Sequence, residues 1–179
     1  MIEIRALRAK DTRTSFRSGD ADIDRFFQQF AGQNQFRHHL GVTYVAADGR
    51  DTLGFATVAA AQVEIDALPL VVRRKLPGYP LPVLRLARLA VDQSAQGQGL
   101  GLRLLRFVLQ LALQMADDYG CVGVIVDAKP NAEVFYAKYG FVAVEAVEGR
   151  SDARPAPTPM FLSIRAIRDA IANPPRKKR

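Results

Sequence analysis

A chain of 179 residues, 49% of them hydrophobic, is the size of one globular domain with a single core, read here as residues 1–172 followed by a basic tail, 173–179. Its net charge is +7, and Arg176, Lys177, Lys178 and Arg179 supply four of the seven, so the tail reads either as a disordered, solvated end or as an arm for a polyanion. No apolar run is long enough to span a bilayer, and Met1-Ile2-Glu3-Ile4-Arg5 lacks the apolar block of a signal peptide, so a cytoplasmic protein without a membrane segment is expected.

Residues 2–7 alternate apolar and polar as a half-buried strand does. Residues 22–30 shift to the helical period, placing Ile23, Phe26, Phe27 and Phe30 on one stripe, with Ser18-Gly19-Asp20 as the preceding turn and cap. Two β-rich runs, 41–47 and 52–65, flank the hairpin signal Asp48-Gly49. Residues 66–82 form an irregular insert, punctuated by Pro69, Pro77, Gly78, Pro80 and Pro82, around a short basic helix.

A strand over 84–92 leads into a helix over 100–119. Leu102, Leu105, Leu109, Ala112 and Ala116 form its apolar stripe, Arg103, Arg106, Gln110, Gln114 and Asp117 its wet side, and Gly120 its end. Residues 122–127 are apolar on both faces, as a central strand covered by helices would be. The lone Cys121 beside that run reads as core and excludes an intrachain disulfide or thiolate metal cluster. Asn131 is expected to cap a short helix carrying Phe135 and Tyr136. A strand over 141–147, a Pro-rich loop over 149–159 and a last strand over 160–164 precede a short helix and the tail. Interspersed strands and helices make this an α/β (α+β) chain with a mixed sheet, and it has no internal repeat.

Two segments carry chemistry. Gln96-Gly97-Gln98-Gly99-Leu100-Gly101 stands between a strand and a helix, where backbone N–H groups at the positive end of a helix dipole can close on a pyrophosphate. A Walker loop is excluded because no Gly-Lys-Ser/Thr follows, and a Rossmann fingerprint because Leu102 stands where its third glycine would be. Taken alone, the glycines also suit a tight turn into a helix. Later in the chain, Phe135-Tyr136 supplies a phenol that can act as a proton donor, with Tyr139 as its competitor and an aromatic core role as the alternative. His38 and His39 are adjacent and point apart, and capping explains Asp92 and Asp127 as well as catalysis does.

Together these segments resemble the GNAT superfamily of acetyl-CoA-dependent N-acetyltransferases, whose phosphate loop Gln/Arg-x-x-Gly-x-Gly/Ala is matched by Gln96, Gly99 and Gly101. The resemblance implies a mixed, mostly antiparallel sheet splayed at the acetyl-CoA site, with helices on both faces. It places Gln96, Gly97, Gln98, Gly99, Leu100 and Gly101 at the pyrophosphate, with the amides of Gln98 to Gly101 facing it and the Gln96 side chain on a phosphate oxygen. The main chain of Leu89, Ala90 and Val91 would pair with the pantetheine arm, Asn131 and Phe135 would complete the cofactor-binding set, and Tyr136 would protonate the leaving sulfur. A phenol of pKa near 10 is a sensible acid for a thiolate near 8.5. No metal is implied.

Residues 16–27 narrow the resemblance to the acetyltransferase toxins of type II toxin–antitoxin pairs, whose signature is Phe-x-Cys-Gly-x-x-x-Leu-Asp-x-Phe-Leu. Phe16, Gly19, Asp24 and Phe26 match, Ile23 and Phe27 are like-for-like, and Ser18 replaces the cysteine, a change expected to be structural. Those toxins acetylate the α-amine of aminoacyl-tRNA, commonly as homodimers silenced by a ribbon-helix-helix antitoxin. The alternatives are a GNAT enzyme acting on a small amine or a protein, and a non-catalytic acetyl-CoA-binding subunit.

Overall fold

The structure, a computed structural model, describes residues 1–144 and 155–172. The expected strand beyond residue 144, the first part of the Pro-rich loop and the basic tail lie outside the described residues. Seven strands form one sheet in the order β1-β2-β3-β4-β5-β7-β6. They are β1 (Glu3–Ala6), β2 (Val42–Asp48), β3 (Asp51–Val63), β4 (Leu81–Val91), β5 (Gly123–Ala128), β6 (Val142–Ala143) and β7 (Thr158–Ser163). The helices are α1 (Ala21–Arg25), α2 (Ala31–Phe36), α3 (Leu70–Arg73), α4 (Leu100–Asp118), α5 (Glu133–Lys138) and α6 (Ile164–Ala172). The chain divides into two compact units, Met1–Ala59 with Leu86–Gln110, and Ala60–Arg85 with Leu111–Arg179.

In the first unit β1, β2 and β3 form an antiparallel ladder, closed at Gly49 (φ 63°) and carrying an irregularity at Ala46/Ala47. Asp20 caps α1 by accepting from the N–H groups of Asp22 and Ile23. Ser18, at the signature's cysteine position, donates from its N–H and hydroxyl to Asp24 Oδ1 at 2.8 and 2.6 Å, which satisfies that oxygen of the buried carboxylate.

Between α1 and α2 the helix widens into a π turn, Phe26–Phe30, in which Ala31 N–H bonds to Phe26 O. The extra residue changes the facing of the predicted stripe. Phe26 and Phe27 are buried, Ile23 packs against them, and Phe30 is turned to solvent at 43% exposure. Phe16, Phe27 and Phe55 make the centre of this core, with the Phe27 and Phe55 rings stacked at 4.4 Å.

The second unit is centred on Val63, Leu81, Val83, Ile125 and Phe161. β5 pairs antiparallel with β7, and β7 with β6. β5 is as apolar on both faces as its sequence requires. Two boundaries differ from expectation because a proline retains its carbonyl. Pro82 lies inside β4 and accepts from Val122 N–H at 2.8 Å, and Pro159 lies inside β7, accepting from Val144 N–H at 2.9 Å.

Helix α4 keeps every predicted wet residue exposed or half-buried, but its buried line is Leu104, Leu105, Val108, Ala112 and Met115. Leu102, Leu109 and Ala116 are only half-buried, so the stripe is rotated toward the preceding residues. Gly120, at φ 102°, ends it by donating to Met115 O, as its sequence position implies. Cys121 is buried, and that burial pushes its thiol pKa up.

Candidate active site

The glycine loop is fixed at both ends by long-range hydrogen bonds within the first unit. As β4 ends, Asp92 N–H donates to Leu53 O at 2.9 Å, and Gln93 N–H to Arg17 O at 2.8 Å. The Asp92 carboxylate caps the short turn Gln93–Ala95 through the N–H and hydroxyl of Ser94, while its other oxygen accepts from Arg17 N–H. Burial opposes its charge, yet these donors outweigh burial and hold its pKa below the ordinary carboxylate value. Asp92 is thereby a structural cap.

Gln96 Nε2 donates to Ser18 O at 2.8 Å and to Val91 O at 3.0 Å. Both its amide protons are therefore directed at main-chain carbonyls, and here Gln96 braces the loop instead of offering its NH2 to a phosphate. Gly97 and Gly99 sit at φ 75° and 77°, with open space where a Cβ would stand. Gly99 O accepts from Arg103 N–H, so α4 begins there and the amides ahead of Arg103 lack intrahelical partners. An exposed loop, an open approach and undirected N–H groups at the start of a 19-residue helix suit a diphosphate.

Upstream on β4, Ala90 is buried while Leu89 and Val91 are half-buried. Gly54 leaves just enough room for this backbone, since a Cβ there would lie 3.1 Å from Ala90 O and 2.9 Å from Leu104 Cδ1. The Arg88 guanidinium lies 3.8 Å above the centre of the Phe26 ring. Desolvation lowers its pKa, and an arginine still stays charged. Sequence reading gave Arg88 no role at the site and missed the cavity of about 110 Å3 beside it, lined by Phe26, Ala31, Leu40, Ala59 and Ala87 among others. Its walls come from three distant segments, which no local pattern connects.

Tyr136 belongs to the second unit. It is 5% exposed, edge-on to Phe135 at 5.2 Å and Phe141 at 5.4 Å. Burial raises its pKa well above that of a free phenol, so it stays protonated throughout the physiological range. Among the described residues its hydroxyl has no hydrogen-bond partner. Tyr139 instead packs on Phe135 and under the Lys138 ammonium, 5.7 Å from its ring centre.

Asn131 does not cap α5. Ala132 occupies the N-cap position and no side chain bonds there, because the turn closes through Ala132 N–H to Lys129 O and leaves Asn131 exposed before the helix begins. Asp127 pairs with Arg85 at 2.7 Å, while His38 and His39 are exposed. No group of side chains fit to hold a metal ion occurs among the described residues.

The family model described as an acetyltransferase (GNAT) domain matches residues 18–160. The chain is 36% identical over 132 residues to a protein of Mycobacterium tuberculosis (strain ATCC 25618 / H37Rv) named tRNA-acetylating toxin, covering 73% of this chain and 78% of the relative. Its fold is similar to that of AtaT complexed with acetyl-methionyl-tRNAfMet, with a TM-score of 0.83 at 23% identity, covering 96% and 99% of the two chains. It is also similar to a mutant AtaT bound to the C-terminus of the antitoxin AtaR and acetyl-CoA, with a TM-score of 0.76 at 20% identity, covering 97% and 99%. With the family model spanning most of the sequence and a relative above one-third identity, the chain belongs to the GNAT acetyltransferases.

Proposed function

We propose that this acetyltransferase moves the acetyl group of acetyl-CoA to the α-amine of aminoacyl-tRNA and so blocks translation as a toxin. The observation that carries this choice of acceptor is the 36% identity to a tRNA-acetylating toxin over 73% of the chain. The net charge of +7 supports it, because an acceptor stem is a polyanion held mainly through its phosphates.

In this reading the amides of Gln98, Gly99, Leu100 and Gly101 hold the diphosphate, and Gly97 and Gly99 allow its approach. Gln96 keeps the loop in place. Leu89, Ala90 and Val91 offer main-chain groups to the pantetheine arm and a donor to the thioester carbonyl as it gains charge. Phe135 packs beside the catalytic ring, and Asn131 stands at the entrance to α5. Tyr136, kept neutral by burial, gives its proton to the departing sulfur, and the proton that the amine sheds on becoming an amide passes through solvent to restore the phenol. The attacking α-amine needs no dedicated base, since its pKa of roughly 8 leaves a useful neutral fraction near pH 7.

A homodimer, a ribbon-helix-helix antitoxin and a cytoplasmic site of action complete the proposal, as its likeness to the toxins implies. The test is mass spectrometry of charged tRNA after incubation with the protein and acetyl-CoA. An acetyl group on the aminoacyl moiety, and none on uncharged tRNA, is expected. Acetylation of small amines or protein lysines with charged tRNA untouched would overturn the reading.

A further inference from the structure

The cavity next to Arg88 lies wholly within the first unit and on the strand proposed to face the thioester. Ala87 is two residues ahead of Leu89, about 7 Å along an extended strand. The π turn builds the opposite wall. Because Ala31 N–H reaches back five residues to Phe26 O, both residues come to line the cavity. A wide turn costs hydrogen-bond quality, and such turns recur where a helix shapes a functional site.

We infer that this cavity receives the side chain of the amino acid being acetylated and selects a small one that carries no positive charge; the inference rests on the acceptor proposed above. Three features set the selection. First, at about 110 Å3 the cavity is smaller than the roughly 150 Å3 apolar cavity that accommodates benzene, which disfavours an aromatic ring. Second, among the described residues its lining offers a cationic side chain nothing to pair with. None of those lining residues is a carboxylate, and the buried hydroxyls of Thr43 and Thr57 are 2.8 Å apart and engaged with each other. Asn34 adds only a neutral amide, so a lysyl or arginyl head group would be desolvated unpaired. Third, the Arg88 cation, with no carboxylate partner among the described residues, adds repulsion against such a group. The Arg88 guanidinium, over the Phe26 ring, keeps donors that a carboxylate could meet, so the selection acts on size and on positive charge.

The experiment uses the full chain, acetyl-CoA and one tRNA body charged enzymatically or by ribozyme with glycine, alanine, serine, valine, phenylalanine or lysine. A shared tRNA body removes differences in phosphate contacts. Acetylation should show kcat/KM at least about tenfold higher for the small uncharged set, the scale on which pockets discriminate by size. Ala59→Leu, which fills the cavity from β3, should lower kcat/KM for valine more than for glycine, with acetyl-CoA affinity as a check that the fold survives.

A flat ranking, or preference for phenylalanine or lysine, would overturn the inference and leave the tRNA reading standing. An unchanged ranking in the Ala59→Leu enzyme, still folded and binding acetyl-CoA, would also overturn it. If no charged tRNA is acetylated, both the acceptor and this pocket's role are refuted.

Discussion

Gln96 and Ser18, seventy-eight residues apart in sequence, are joined by a 2.8 Å hydrogen bond from the glutamine amide to the serine carbonyl. The same amide nitrogen reaches Val91 O at 3.0 Å, so one side chain ties the glycine loop both to the strand that precedes it and to the turn that leads into α1. Replacing it with alanine removes two exposed bonds, each worth about 0.5–1.5 kcal/mol. Gln96→Ala should weaken acetyl-CoA binding by about tenfold in calorimetric titration and lower Tm by a few degrees. Unaltered binding would show that the glycines hold the loop unaided.

Tyr136 is placed to test general-acid catalysis, because its ring is held by Phe135 and Phe141 whether or not the hydroxyl is present. Tyr136→Phe should lower kcat by about 10² with acetyl-CoA affinity nearly unchanged. Equal turnover by the two enzymes would move proton donation elsewhere.

The Arg5–Asp11 pair supplies a prediction on pH. The side-chain hydrogen bond from Arg5, at 2.7 Å and repeated at 2.9 Å, is the main reason that the Asp11 pKa is lowered, with Arg8 N–H adding to it. A carboxylate lowered in the fold contributes stability that is present above its unfolded pKa of about 3.9 and is lost as pH falls through the folded value. Asp92 contributes in the same direction. Tm should therefore fall on acidification from about pH 5 toward pH 2. Asp11→Asn should cost roughly 1–2 kcal/mol at pH 7 and flatten part of that acid limb. An acid limb of unchanged slope in this variant would assign the acid sensitivity to other carboxylates.

Gly54 stands where a side chain would press on both Leu104 and the carbonyl of Ala90. Gly54→Ala should destabilise the protein by about 1–3 kcal/mol, the usual cost of overpacking. Because Ala90 is in the strand proposed to face the thioester, kcat should fall as well. Stability loss with full kcat in the remaining folded enzyme would argue that the Ala90 main chain is not used.

Removing Arg176–Arg179 takes away four cations and leaves a net charge of +3. Affinity for charged tRNA should drop, and the slope of log K against log salt should become shallower by up to about 0.9 for each phosphate that is no longer neutralised. Identical slopes with and without these residues would exclude them from binding.

The parts of the site legible in the sequence are those decided within a few residues. Asp20 two and three positions before Asp22 N–H and Ile23 N–H, Gly97 and Gly99 ahead of an amphipathic helix, and Gly120 after it all act through adjacent backbone. The wet face of α4 was equally readable, since charge and polarity mark a solvated side directly. Its buried face was not, because alanine, leucine and methionine are interchangeable in pattern and the neighbouring sheet decides which of them it covers.

By itself, then, the sequence determined the class of fold, the position of the glycine loop and the family to which the chain belongs, because turns, caps and period depend on local sterics and hydrogen bonding. Only the tertiary structure decided that Phe30 faces water, that Gln96 spends its amide on Ser18 and Val91, that Asn131 leaves α5 uncapped, and that Phe26, Ala59 and Arg88 enclose one cavity. Each of these joins or separates groups far apart along the chain, and packing sets such distances where no local rule reaches.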